Sequence, residues 1–476
     1  MSFVLKVWET QISSYRLRST EMGNQDLDQR GRWGSKAVFV FAAAGSAIGL
    51  GNIWRFPLMV GLNGGAIFVL VYILAVVMIG FTVMLAEFTV GRHTAKNPVG
   101  AYDAIKPGSL WKLAGYLGVF GCACFLSFYG VVAGWAFGYF YKTLGGTFKG
   151  EITWLASDAI FTHFAARPLE IILCLFVIIG LTTFVISRGV KAGIERWTKF
   201  LMPMLFGIII LLAIRAVSLP GAGTGLSFYL KPDFTKLNTT VIFFAVGQAF
   251  FSLSIGIGTM ITYASYLSKR DNLVSSAGWV CFFDSLIALL AGIIVFPTLF
   301  ATPGLTPDKF EPSTGLMFQV LPIIISKIPG GYVFGILFFF LLLVAALTST
   351  ISLLEVPVAY FVDERNWSRK KAALLVGFFC FLLGVPSGLS HGGVGIFTKW
   401  NFMKHMDLVF GNIVLALGGL IISLFVGYVW KIKNALKEIS FGNTIFSLKS
   451  LWVFNVKFLA PVVIIVILIF ILTLSG

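Results

Sequence analysis

Two stretches of this 476-residue chain set glycines and oxygen-bearing side chains into otherwise apolar sequence, the raw material of a site for a cation or a zwitterion. The first reads Gly45-Ser46-Ala47-Ile48-Gly49-Leu50-Gly51-Asn52 and continues to Arg55 and Pro57. The second holds Gln248, Phe250-Phe251-Ser252-Leu253-Ser254 and Gly256-Ile257-Gly258. Glycine within a helix costs about 1 kcal/mol relative to alanine, so clustered glycines in mid-run mark a break. A broken helix bares N–H groups at the start of one half and C=O groups at the end of the other. The N–H end, with its positive dipole, suits a carboxylate. The bared carbonyls, joined by a hydroxyl such as that of Ser252, suit a hard cation such as sodium. The same glycines also permit close helix packing, but Asn52 and the neighbouring serines add oxygen ligands that packing does not require.

A third stretch, Ala345-Ala346-Leu347-Thr348-Ser349-Thr350, carries adjacent hydroxyls. These either bond back to the preceding turn or complete a second cation site. Ionisable groups inside apolar runs are expensive and usually functional, and four stand out: Arg55, Glu87, Asp284 and Glu355. Asp284 requires a cation or a donor beside it. Glu87 and Glu355, nearer the run ends, read as structural hydrogen-bond acceptors. With no histidine deep in an apolar run, no HExxH and no nucleophile–base pair, the chain does not read as an enzyme.

The elements that must position these groups are membrane helices. Hydrophobic residues make up 58% of the chain and charged ones 12%, with a mean hydropathy of +0.91. Soluble domains carry about 25% charge, so a wetted surface is excluded. Runs delimited by Gly, Pro and charge clusters predict eleven spans, at 36–59, 65–91, 113–143, 168–186, 194–217, 238–267, 274–301, 331–362, 371–388, 407–430 and 450–474. The stretches 144–167 and 302–330 read as the long outer loops.

The net charge of +16 sits in short loops and reads as a topology signal, not as a nucleic-acid footprint. With the N-terminus inside, 25 Lys and Arg residues fall on the inner side and ten on the outer, with Arg55 alone in a span. The positive-inside rule therefore puts the N-terminus in the cytoplasm, and an odd span count puts the C-terminus outside a plasma membrane. Tryptophans near run ends, among them Trp33, Trp111, Trp197, Trp400, Trp430 and Trp452, read as an interfacial belt. Cys122, Cys124, Cys174, Cys281 and Cys380 read as small core residues. The interrupted spans are the first and the sixth, each opening a set of five, which points to a secondary transporter with an inverted repeat. The expected organisation is a segment at 1–35, a first repeat at 36–217, a second at 238–430 and an extra helix at 450–474.

Trp33 through Pro57 (WGSKAVFVFAAAGSAIGLGNIWRFP), Asn63-Gly64-Gly65, Glu87 with Gly91-Arg92, GQAFFSLSIGIG at 247–258 and ITYASYL at 261–267 together resemble the neurotransmitter:sodium symporter family. Eleven spans instead of twelve resemble its prokaryotic branch. The resemblance implies an all-α fold of two inverted five-helix repeats, with helices 1 and 6 broken. It implies sodium-coupled import of an amino acid across the lipid bilayer. It further implies two sodium sites, one of Ala47, Asn52, Ser252 and Asp284, the other of Gly45, Ile48, Ala345, Thr348 and Ser349.

On the same resemblance the substrate carboxylate would meet Leu50, Gly51 and Tyr129. Its ammonium would meet Ser46, Ala47, Phe251, Ser252 and Ser254, and its side chain Phe125, Val132, Ser254, Ile257, Ser349 and Leu353. Relatives that carry amines lacking a carboxylate place Asp where this chain has Gly49, which favours an amino acid; the apolar lining favours a hydrophobic or aromatic one. An outer gate of Arg55 and Asp407 above Phe251, an inner gate of Arg30 and Asp363 beside Trp33 and Tyr266, and a helix-unwinding pair, Gly193 and Pro203, follow from it as well. Asp284 stands where many relatives have Asn, and Ala288 lacks a carboxylate or hydroxyl that others carry, so Asp284 is expected to supply the charge that chloride provides in animal relatives. Proton coupling through Asp284 or Glu355, or a non-transporting amino-acid sensor, remain the alternatives.

Overall fold

A computed structural model of the chain describes residues 32–302, 316–392, 395–441 and 445–475. Among the described residues there is no β-strand. The principal helices are α1 (Lys36–Ala47), α2 (Gly51–Leu62), α3 (Ala66–Thr94), α4 (Lys112–Leu144), α5 (Pro168–Ser187), α6 (Val190–Val217), α7 (Thr239–Ser252), α8 (Thr259–Ala264), α9 (Leu273–Phe300), α10 (Gly331–Arg365), α11 (Arg369–His391), α12 (Phe402–Val429) and α13 (Lys449–Thr473). Nine of these are each long and apolar enough to cross a membrane, and α1 with α2 makes a tenth span bent by 52°. The shorter α7 and α8 share the eleventh, so the expected eleven are present, in an all-α bundle whose first and sixth spans are broken.

Helix starts follow local chemistry. The side chains of Ser35, Asn238 and Asn272 each accept an N–H of the first turn of α1, α7 and α9, satisfying donors that the helix itself cannot. Depth in the bundle follows the small residues. The most apolar stretch of α4 is 89% buried in protein, against 28% for α13. Glycines let α4 sit that deep: a Cβ on Gly134 would press on Cys174 and Leu175 of α5, and one on Gly138 on the ring of Phe164. The five cysteines are buried and unbridged, as their apolar setting predicts.

Three short helices escaped the reading of hydrophobic runs: Pro98–Ile105, Ala222–Leu230 and Ile432–Ile439. None is long enough to register as a span. Helices at Trp154–Ala165 and Leu316–Lys327 lie in the stretches expected to be outer loops. Three members of the expected tryptophan belt need a correction, whereas Trp400 is exposed. Trp33, Trp430 and Trp452 are buried; Trp33 Nε1 donates to the Tyr263 carbonyl at 2.9 Å and Trp452 Nε1 to the Thr82 carbonyl at 3.2 Å. Proximity to a run end does not distinguish an indole facing lipid from one that ties two helices together.

At the end of the bundle that carries the basic loops, Glu438 of the Ile432–Ile439 helix gathers two cations and a histidine. Its Oε1 lies 2.8 Å from both Arg92 Nε and Lys269 Nζ, and its Oε2 lies 3.1 Å from His93 Nδ1. Burial raises the Glu438 pKa, but the hydrogen bonds of His93 and Lys269 and the charges of Lys269 and Arg92 outweigh it and bring it down to about 2. A depressed carboxylate stabilises the fold above its unfolded pKa and loses that contribution as pH falls toward the folded value. Glu438→Gln is therefore expected to lower the melting temperature of detergent-solubilised protein at pH 7, by an amount corresponding to about 1–2 kcal/mol after allowance for solvent screening. Melts run downward from about pH 5 should show the difference shrinking.

Candidate functional site

Both glycine-rich stretches are unwound at the same depth. The helix of the first span ends at Ala47; Ile48 is extended (φ −72°, ψ 97°) and the chain resumes as a wide π-turn from Gly51 to Arg55. The sixth span stops at Ser252 and resumes at Thr259, with Ser254, Gly256 and Gly258 at φ of 51°, 93° and 82°. For Gly256 a side chain is also excluded by contact, since a Cβ would run into the Leu415 carbonyl and lie 2.9 Å from the Gly419 nitrogen. The two joints touch: Ser254 Oγ donates to the Ser46 carbonyl at 3.0 Å, and Gln248 Nε2 to the Gly51 carbonyl at 2.8 Å.

On one side of the joints Asn52, Ser252 and Asp284 form a single buried cluster. Asn52 Nδ2 lies 2.9 Å from Ser252 Oγ and 2.7 Å from Asp284 Oδ1, and Ser252 Oγ is 2.9 Å from each Asp284 oxygen. Tyr72 of α3 completes it, its hydroxyl donating to Asp284 Oδ2 at 3.0 Å. The donor that Asp284 requires is thus threefold, and no lysine, arginine or histidine among the described residues pairs with it. A buried carboxylate held by neutral donors alone keeps a strong affinity for a cation. Asn52 Oδ1 meanwhile accepts the Gly49 N–H at 3.1 Å and so braces the first joint.

On the other side the hydroxyls of α10 reach both of the partners weighed for them. Thr348 Oγ1 bonds back to the Ala345 carbonyl at 2.9 Å and lies 3.4 Å from the Ile48 carbonyl; Ser349 Oγ lies 3.4 Å from Ala345 O and 3.2 Å from Ser46 O. Gly45 faces the same spot, where a Cβ would stand 3.5 Å from Thr348 Cβ and 3.1 Å from Met202 Sδ. Carbonyl and hydroxyl oxygens from two helices converge there, the donor set a hard monovalent cation takes.

Between the two clusters lies a narrow cavity of about 10 Å³, lined by Ala47, Gly49, Gly51, Phe125, Tyr129, Phe251, Ser254, Ile257, Ser349, Leu353 and Leu415. On its wall Tyr129 Oη accepts the freed Leu50 N–H at 2.9 Å. Its walls are the rings of Phe125, Tyr129 and Phe251, with centroids 5.6–5.7 Å apart about Phe125, and the aliphatic chains of Ile257, Leu353 and Leu415. Val132, expected in the side-chain pocket, is buried but does not line this cavity, and neither do Ser46, Leu50 and Ser252, expected around the carboxylate and ammonium.

Both ends above and below are closed. The Arg55 guanidinium lies 4.1 Å over the Phe251 ring and donates to Asn412 Oδ1 at 2.9 Å. The expected Arg55–Asp407 pair is not a direct contact in this structure: Asn412, whose Nδ2 bonds the Asp407 carbonyl at 2.9 Å, stands between them. The reason is the π-turn Asp407–Ile413, which moves Asn412 into reach of Arg55. At the opposite end Trp33 packs edge-on against Tyr263 and Tyr266, Tyr266 Oη donates to Glu355 Oε1 at 2.6 Å, and Arg369 pairs with Glu355. Asp363 accepts from the backbone and side-chain nitrogens of Asn97, both at 3.1 Å; its expected partner Arg30 lies outside the described residues. Gly193 sits in a π-turn, Val190–Glu195, and Pro203 lies within the continuous helix that follows, so the expected unwinding segment is wound here.

Reading the sequence missed Tyr72, Asn412 and Leu415. Tyr72 lies in a run of apolar residues with nothing to mark its hydroxyl, and Leu415 is one leucine among many.

The fold and the site define a class: a secondary transporter built around a pair of broken helices. The comparisons specify it. The model of the sodium:neurotransmitter symporter family matches residues 30–165 and 151–475. An uncharacterized sodium-dependent transporter of Bacillus subtilis, YhdH, is 38% identical over 92% of this chain and 96% of its own length. The sodium- and chloride-dependent GABA transporter ine of Drosophila melanogaster is 28% identical over 88% of this chain and 49% of its own. The crystal structure of MhsT in complex with L-phenylalanine superposes with a TM-score of 0.84 at 42% identity, covering 92% of this chain and 99% of that one. The chain belongs to the sodium:neurotransmitter symporter family; it is a multi-pass membrane transporter and not an enzyme.

Proposed function

We propose that this protein imports a hydrophobic or aromatic α-amino acid together with sodium by alternating access. The observation that carries the reading is the cavity beside Gly49. There the Tyr129 phenol, which accepts the Leu50 N–H, and the hydroxyls of Ser254 and Ser349 face an aromatic and aliphatic wall, and no acidic side chain lines the cavity. The substrate's carboxylate would replace the Leu50–Tyr129 contact, and its ammonium would take the Ser46, Ala47, Phe251, Ser252 and Ser254 side. Its side chain would enter between Phe125, Ile257 and Leu353. MhsT, crystallised with L-phenylalanine, supports this class of side chain.

Two sodium ions travel as co-substrates in this reading. One would take the Ala47 carbonyl, Asn52, Ser252 and Asp284, with the substrate carboxylate as a further ligand. The second would take Gly45, Ile48, Ala345, Thr348 and Ser349. A shared ligand couples the two affinities and is the basis of symport. The halves 36–217 and 238–430 would rock against each other, with the Arg55 side closing before the Trp33–Tyr266 side opens, the N-terminus being cytoplasmic. Melting of the Gly193–Pro203 segment would admit water to the second sodium.

Uptake of labelled L-phenylalanine into proteoliposomes, driven by an inward sodium gradient and competed by each amino acid in turn, tests the reading. Accumulation is expected to need sodium, to persist at equal pH on both sides, and to be competed best by aromatic and branched side chains. Equal uptake without a sodium gradient overturns it. Tyr72→Phe removes one donor from Asp284, a loss of about 1–2 kcal/mol, and is expected to weaken sodium affinity about 5- to 30-fold; sodium titration of substrate binding reads this directly.

A further inference from the structure

Behind the joint of the sixth span, separated from the substrate cavity by the joint itself, lies a second enclosed chamber of about 10 Å³. A chamber of this size holds one water molecule. Glu87 of α3 faces it, together with Tyr102 of the Pro98–Ile105 helix, Gly118 of α4, Gly256 and Gly258 of the joint, and Gly418 of α12. Glu87 is 1% exposed. Its Oε1 accepts the Gly256 N–H at 2.8 Å, while its Oε2 has no hydrogen-bond partner.

Burying a carboxylate without a cation costs several kcal/mol, and among the described residues no Lys, Arg or His faces this one. The titratable side chains nearest it are Tyr102 on the short helix and Cys122 on α4. The N–H groups of Gly258 and Met260 add further positive potential. From α12 the chamber receives only Gly418 and Ile421. The carboxyl, buried with no cation beside it and with one oxygen unpartnered, can take up a proton there, and Tyr102 lines the same chamber.

We infer that Glu87 is a proton-binding site, linked through one water to Tyr102, whose charge state sets how firmly the joint at Gly256 is held. On protonation, a proton from bulk water forms an O–H bond at the carboxylate and one negative charge is lost. The Gly256 N–H then faces a neutral acceptor instead of a charged one, and charge-assisted hydrogen bonds are roughly twice as strong. Falling pH therefore loosens the joint.

Infrared difference spectra of purified protein, stepped from about pH 5 to about pH 9, read the carboxylic C=O stretch without substrate or sodium and so stand apart from the transport reading. Wild type should lose a protonated-carboxyl band as pH rises; that band should be missing in Glu87→Gln and shifted in midpoint or frequency in Tyr102→Phe, which keeps the carboxyl. The linked expectation, which rests on the proposed amino-acid transport, is that uptake falls toward low pH in wild type and stays flat in Glu87→Gln. If Glu87→Gln does not fold, Tyr102→Phe decides: an unmoved band overturns the inference. So does a Glu87→Gln protein with the wild-type spectrum and pH profile.

Discussion

Gly49→Asp is expected to reduce sodium-driven amino-acid uptake at least about 100-fold. A Cβ at Gly49 would overlap Ser349 Oγ and lie 2.6 Å from Tyr129 Oη, so the added carboxylate would sit where the substrate's own is proposed to bind. Two like charges about 4 Å apart repel by about 4 kcal/mol at an intermediate dielectric, more than enough for that loss. The variant should bind an aryl-alkylamine lacking a carboxylate better than wild type does, because the protein then supplies the missing anion. Gly49→Ala separates the steric part from the charge: it should weaken uptake without creating amine binding. Retained amino-acid uptake in Gly49→Asp, within a few-fold of wild type, would place the carboxylate elsewhere.

Asp284→Asn is expected to have the second-largest effect. Asp284 is wholly buried and is held by Asn52, Ser252 and Tyr72, all neutral. As the one formal charge of the first cluster, it would balance the sodium ion bound there. Loss of that charge should weaken sodium binding by at least about tenfold, equivalent to about 1.4 kcal/mol, in chloride-free buffer. The Drosophila relative ine is described as sodium- and chloride-dependent; here wild-type uptake should be indifferent to replacing chloride by gluconate, while Asp284→Asn should recover part of its activity when chloride is supplied. Chloride-stimulated uptake in wild type, with no gained dependence in the variant, would sink the proposal.

What the sequence determined by itself is whatever neighbours along the chain dictate. Run length and charge placement located the eleven spans, because the lipid allows only long apolar helices. Glycine clusters located both joints, because the penalty for glycine and the positive φ it permits are properties of single residues. Asn52, Ser252, Asp284, Thr348 and Ser349 were legible as groups that must find partners, since a polar group in an apolar run needs one.

The tertiary structure alone decided which partners meet. Tyr72 joins Asp284, Asn412 separates Arg55 from Asp407, Leu415 closes the pocket and Val132 does not, and Trp452 bonds Thr82 instead of facing lipid. Each of these depends on the rotation of one helix about its axis and on single π-turns such as Asp407–Ile413. That rotation is set by side chains packing across the bundle from residues hundreds of positions away, and spans apolar on nearly every face leave no stripe in the sequence to reveal it.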